Sequence, residues 1–122
     1  MIIFKESEGD KQMKKIISVV SLSLSLIGFT SYSMAADADK GEKIFTANCT
    51  GCHAHGMNHI APGKSLSKGD LTTNKRNSTA AIIALVTNGK SPMPAFGKLG
   101  AISASDIENV TAYVLKKADA GW

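Results

Sequence analysis

A chain of 122 residues has room for one ordinary domain, and 14 basic against 10 acidic side chains leave a net charge of +4. That field is weak and scattered, which excludes the dense basic stripe of a nucleic-acid binder. Two cysteines allow one bridge at most, so a multi-disulfide scaffold is excluded as well.

The N-terminal part reads as a leader. Lys11, Lys14 and Lys15 precede an apolar run over residues 16–27, well short of the ~20 residues that cross a bilayer as a helix. The run ends in Ser31-Tyr32-Ser33-Met34-Ala35-Ala36, with small residues one and three positions before the Ala35/Ala36 bond. Basic start, short apolar middle and small-residue end predict a signal peptide cut after Ala35. The stretch ahead of Met13 is acidic and polar, so Met13 is the better natural start and residues 1–12 an upstream extension. The expected organisation is an extension and cleaved signal over residues 1–35, then one domain over residues 36–122. That domain has 87 residues and a net charge of +3, small enough to benefit from a covalent staple.

The rest of the chain is patterned for helices, with no convincing strand. Asp37 or Asp39 can cap a first helix that puts Ala38, Gly41, Phe45 and Asn48 on one face. Gly41 inside it implies a close approach by another element, since glycine there otherwise costs about 1 kcal/mol relative to alanine. Tyr113 is the candidate neighbour. A short helix is expected at residues 66–71. Asn77 or Ser78 caps the next helix, with Ile82, Leu85 and Val86 as its buried stripe and Gly89 as its stop. Ser91-Pro92-Met93-Pro94 can be neither helix nor central strand, because two prolines bracket the methionine. In the last helix Ser103 and Asp106 are spaced as a capping box, followed by Ile107, Val110 and Val114 on one face.

The chemistry is concentrated at Cys49-Thr50-Gly51-Cys52-His53, the haem c attachment pattern. Its spacing lets two thiols add across the two vinyl groups of one macrocycle while the adjacent imidazole reaches the iron. Three other uses compete. A disulfide-exchange site also uses Cys-x-x-Cys, though in a strand-to-helix setting that this sequence lacks. A zinc site would combine Cys49 and Cys52 with two of His53, His55 and His59. A plain structural disulfide would need neither the histidine nor the spacing.

With His53 on one side of an iron, four residues compete for the other: His55, Met57, His59 and Met93. The first three follow the motif immediately and would need an awkward loop to reach the far face. Met93 lies 40 residues beyond His53 in a proline-fixed loop that leaves a weak thioether little ordering entropy to lose. Met93 is therefore the expected second axial ligand, against the plain alternative of core filler. His55 and His59 read as solvated surface residues; if either is buried, it is His59. Sulfur ligation favours ferrous iron, and two filled axial sites leave no position for oxygen or peroxide. No nucleophile–base or acid pair accompanies the motif, so electron transfer rather than enzymatic catalysis is the expected activity.

Several segments together resemble cytochrome c6, the soluble class I cytochrome of cyanobacteria and algal plastids. They are Gly41-Glu42-Lys43-Ile44-Phe45, the haem motif flanked by Asn48 and Ala54, Asn88-Gly89-Lys90, Met93-Pro94-Ala95-Phe96-Gly97, Asp106-Ile107-Glu108, Tyr113-Val114-Leu115 and the terminal Gly121-Trp122. The resemblance implies an all-α class I cytochrome c fold, about four short helices around one covalently bound haem c. It also implies the thylakoid lumen of photosynthesis, with the cytochrome b6-f complex as donor and photosystem I as acceptor. The alternative is a periplasmic monohaem cytochrome donating electrons to a terminal oxidase or another redox enzyme. Three departures stand out. Leu85 occupies a position near the haem where the family usually has glutamine. Lys98-Leu99-Gly100 stands where it usually has Gly-Arg-Leu, and Ala54-His55-Gly56-Met57-Asn58 where it usually has Ala-Gly-Gly-Asn-Asn. The first two bear on potential and docking and would suit a paralogue with another partner.

Overall fold

Five α-helices follow one another in the computed structural model, which describes residues 35–122: α1 Ala38–Asn48, α2 Thr50–His53, α3 Lys68–Thr73, α4 Thr79–Asn88 and α5 Ala104–Ala120. A single 3-10 turn, Ala54–Gly56, follows α2 directly. Among the described residues there is no strand, only an isolated antiparallel bridge between Lys90 and Met93. The all-α expectation therefore holds, while the expected leader lies outside the described residues apart from Ala35.

Each longer helix starts where a short polar side chain can take an unpaired amide. Asp37, not Asp39, caps α1, accepting from the amides of Asp39 (2.9 Å) and Lys40 (3.2 Å). Ser78 caps α4 through the Ala81 amide, and Ser103 caps α5 through the Asp106 amide, both at 3.2 Å. Helix α3 begins two residues later than the pattern suggested because Ser67 takes the cap, accepting from the Asp70 amide at 3.1 Å. Leu66 is left in the loop, where its carbonyl finds another donor. Gly89 ends α4 with φ 68°, and Gly121 ends α5 in the left-handed region.

The core is one cluster: Phe45 from α1, Leu71 from α3, Ile82 and Val86 from α4, Ile102, and Ile107, Val110, Val114 and Ala118 from α5. Helix α5 is the spine of this arrangement, with α1 and α4 both packed along it. Leu85, expected in the buried stripe of α4, is only half-buried.

The crossing of α1 and α5 is the tightest contact in the fold. A Cβ on Gly41 would run into the Asn109 carbonyl and lie 2.9 Å from the Tyr113 Cβ. Glycine is therefore required by backbone approach, and Tyr113 is a neighbour as expected, second to the Asn109 backbone. The same turn of α5 ties down the start of the domain, because the Asn109 Oδ1 accepts the Asp37 amide at 2.9 Å. Thr111, fully buried, is satisfied within its own helix by donating to the Ile107 carbonyl at 2.7 Å.

Gly41→Ala forces two helix backbones apart. The expected cost is about 3 kcal/mol, the upper end for overpacking a core. In a domain of this size that lowers Tm by roughly 10–20 °C. Thermal unfolding followed by circular dichroism checks it, and a change of only a degree or two would contradict the close approach.

Candidate functional site

The cysteine motif sits where two helices meet. Cys49 ends α1 and caps α2; its amide donates to the Phe45 carbonyl at 2.8 Å, continuing the α1 ladder. Its own carbonyl accepts the amides of Cys52 (3.2 Å) and His53 (2.8 Å), which winds the motif into one turn. Cys49 is half-buried and Cys52 exposed, and they are not bonded to each other. Burial, reinforced by the nearby Cys52, pushes the Cys49 thiol up to about 11.

His53 is half-buried, and its Nδ1 lies 2.9 Å from the Met57 carbonyl. A carbonyl can only accept, so Nδ1 is the donor in this contact and Nε2 is the ring nitrogen left for a metal. An imidazole fixed in this way is set up as a metal ligand whose basicity is raised by its acceptor.

All four site residues expected from sequence, Cys49, Cys52, His53 and Met93, line one cleft of about 250 Å³. Phe45, Leu71, Ile82, Leu85, Val86 and Phe96 give it an apolar interior, while Lys64, Arg76 and Lys90 bring cations to its lining. Met93 is held by a reciprocal pair of backbone bonds: its amide donates to the Lys90 carbonyl (2.8 Å) and its carbonyl accepts the Lys90 amide (3.1 Å). The three other candidate ligands do not line this cleft. Met57 is 54% exposed. His55 and His59 are exposed too, as expected of surface residues, and His59 is not buried. His55 adopts φ 57°, a left-handed conformation that few residues other than glycine take up.

The competing uses of the motif find little support. Among the described residues no group of three or more His, Cys, Asp and Glu is arranged to hold a metal ion. The all-helical setting offers no strand-to-helix junction. A thiol pushed up to about 11 has little thiolate at neutral pH for exchange chemistry. An apolar cleft with two unpaired thiols at its wall and an oriented imidazole beside them fits a flat macrocycle attached through two thioethers.

Sequence reasoning missed several contributors. Ile60, 57% exposed, lines the cleft. Asn58 shapes the turn that carries Ile60, its Oδ1 accepting the amides of Ile60 (3.0 Å) and Ala61 (2.7 Å). An asparagine ahead of an Ile-Ala-Pro-Gly run is a turn signal that could have been read. Asp70, also in the lining, accepts from the Ser65 hydroxyl at 2.6 Å and the Ser65 amide at 3.0 Å, which lower its pKa. Nothing local in the sequence marked that pairing.

Comparison with known proteins identifies the family of the fold. A family profile described as cytochrome c oxidase, cbb3-type, subunit III matches residues 36–114. Cytochrome c6 of Porphyra purpurea is 49% identical over 112 residues, covering 90% of this chain and 100% of the relative. Cytochrome c6 of a Nostoc species is 51% identical, covering 90% of this chain and 99% of the relative. The structure of cytochrome c6 from the diatom Phaeodactylum tricornutum matches with a TM-score of 0.68 at 48% identity, covering 71% of this chain and 100% of that one. The fold is thus that of a class I cytochrome c domain. The chain belongs to the cytochrome c6 family. It is an electron carrier and not an enzyme, and its cofactor is one covalently bound haem c.

Leu85 lines the cleft and is half-buried, so an amide placed there would face the cofactor. Leu85→Gln is expected to shift the midpoint potential by some tens of millivolts, the scale on which neighbouring dipoles tune haem. Dryness and the lost dipole act in opposite directions, so the sign is left to the redox titration. An unchanged midpoint would mean that this side chain does not face the haem.

Proposed function

We propose that this chain carries single electrons from the cytochrome b6-f complex to photosystem I in the thylakoid lumen. In this reading residues 36–122 are the mature protein, exported by a signal peptide that ends at Ala35. Haem c is attached at Cys49 and Cys52, with His53 and Met93 as axial ligands. The observation that carries the site assignment is that these four residues, and no other candidate ligand, line the same cleft.

When bound, the haem supplies a one-electron couple. The protein's part is to hold that couple in a water-poor setting and leave an edge accessible. The Met57 carbonyl keeps the His53 ring oriented, and the Lys90–Met93 backbone pair together with Pro92 and Pro94 stiffens the thioether loop. Phe45, Leu71, Ile82 and Val86 exclude water from the interior of the cleft. Rim residues Ile60, Pro62 and Pro94 are exposed, and Ala61, Ala95 and Phe96 are half-buried. Such an apolar rim suits a small and short-lived contact.

A second reading, a periplasmic carrier that donates to a terminal oxidase, draws on the match to a cbb3-type oxidase subunit and on the departures at Leu85 and Lys98. A redox titration combined with flash-induced reduction of photosystem I by the mature protein separates the two. Fast reduction supports the photosynthetic route; no reduction, with turnover of an oxidase instead, supports the other.

Ligation is tested by two substitutions. The ferric charge-transfer band that reports sulfur ligation should disappear in Met93→Ala and persist in Met57→Ala. The reverse pattern would move the ligand to Met57, and survival in both would remove either methionine from the iron.

Docking is tested at Lys98, which is exposed and follows the apolar rim. Between residues 64 and 98 the chain has six cations and one acid, Asp70, so the cleft-bearing segment is the positive part of the domain. Lys98→Glu should slow bimolecular electron transfer to the photosystem at low ionic strength and leave the midpoint potential nearly unchanged. The gap should narrow with salt, as the Debye length falls from ~30 Å at 0.01 M to ~8 Å at 0.15 M. Equal rates at low salt would remove Lys98 from the docking surface.

A further inference from the structure

We infer that Trp122, the last residue of the chain, is a positioning residue for His53, acting as a clamp on the loop that orients the imidazole. This inference rests on the reading of His53 as an axial ligand. The indole is half-buried and packed edge-on to Tyr113 (6.0 Å between centroids) and tilted against Phe45 (5.4 Å). Its backbone amide donates to the Lys117 carbonyl at 2.9 Å, which locks the chain end onto α5. Those contacts alone would be met by any large aromatic ring.

Two further contacts reach the loop that follows His53, and the first needs the indole N–H. The indole Nε1–H donates to the Leu66 carbonyl at 2.7 Å, across 56 residues of sequence. The flat of the ring lies against Gly56, so closely that a Cβ at Gly56 would strike the Trp122 ring. Leu66 and Gly56 are themselves joined, the Leu66 amide donating to the Gly56 carbonyl at 2.7 Å. One side chain thus fixes both ends of that bond. Gly56 has φ 74° and is buried, so the loop can pass beneath the ring only at a residue with no Cβ.

The next residue is Met57, whose carbonyl accepts from His53 Nδ1. Its position is set by Gly56 on one side, and its amide donates to the Ala54 carbonyl at 3.2 Å on the other. The physical chain therefore runs from the C-terminal indole, through the Gly56–Leu66 bond, to the acceptor that fixes the histidine tautomer and ring plane. If the clamp loosens, the His53 proton loses a fixed acceptor and the ligand loses part of its basicity.

Trp122→Phe keeps an aromatic ring and deletes the donor. The readout is exchange of the His53 Nδ1 proton with solvent in the ferrous holoprotein, followed by NMR, with the midpoint potential measured alongside. The expected result is exchange faster by about tenfold, equivalent to ~1.4 kcal/mol, the upper end for one hydrogen bond, together with a shifted potential. The amides of Val110 and Thr111 in α5 should keep their wild-type protection. Unchanged Nδ1 exchange, or acceleration only in step with those core amides, would overturn the clamp and leave Trp122 as packing. Should the variant fail to fold, the wild type decides: in mild denaturant the Trp122 indole proton, the Leu66 amide and the His53 ring proton exchange through one shared opening. Separate openings overturn the inference. If the His53 ring protons show no haem ring-current shift in the wild type, the ligation reading fails first and takes the inference with it.

Discussion

Helix α1 can lie on α5 only because residue 41 has no side chain. The Asn109 carbonyl occupies the space that a Cβ would fill, and everything functional in the domain hangs from that crossing. It fixes the direction in which α1 ends, and α1 ends at Cys49. It also brings Phe45 under Tyr113 and Trp122, making an aromatic trio with centroids 5.3–6.0 Å apart. Such pairs contribute beyond the area they bury, at about 0.5–1.5 kcal/mol each. A core of nine buried apolar residues gains a good part of its definition from this one corner.

Around that corner the site divides into parts of different stiffness. The thiols and the histidine sit on helix ends, where intrahelical bonds determine their positions. The methionine comes from a loop, and its rigidity has to be supplied by a backbone pair with Lys90 and by flanking prolines. A sulfur ligand is weak, so it depends more than an imidazole does on being held in place. The apolar interior and the cationic lining then act on different properties of the carrier. The interior bears on which oxidation state is favoured, whereas charge at the rim bears on how fast a partner is met.

Much of this was legible in the sequence because local rules and tertiary structure agree. Ser78, Ser103 and Asp37 cap helices for reasons contained within four residues, and Ile107, Val110 and Val114 share a face because of the helical repeat. The pentapeptide at residues 49–53 announced the cofactor, and the run around Met93 announced a loop. The boundary of α3 was misread by two residues because Ser67 was not weighed as a cap. His55 and His59 were legible as surface residues, polar side chains in a loop with glycine and asparagine, and both are exposed. The link from Trp122 to Leu66 was not legible at all. It joins positions 56 residues apart, and no periodicity encodes a contact of that kind.

The separation between the two halves of the central crossing also governs when the fold can form. Asp37 and its acceptor Asn109 are 72 residues apart, so the ordering entropy of a long loop must be met before the contact rewards it. A ribosome delivers α1 and the cysteine motif well before the 17 residues of α5. During that interval α1 has no partner, and a helix of 11 residues is marginal in isolation. Cys49, half-buried once the domain closes, is accessible throughout the same interval. The order of synthesis thus exposes both thiols to chemical modification before the native packing that later restricts one of them.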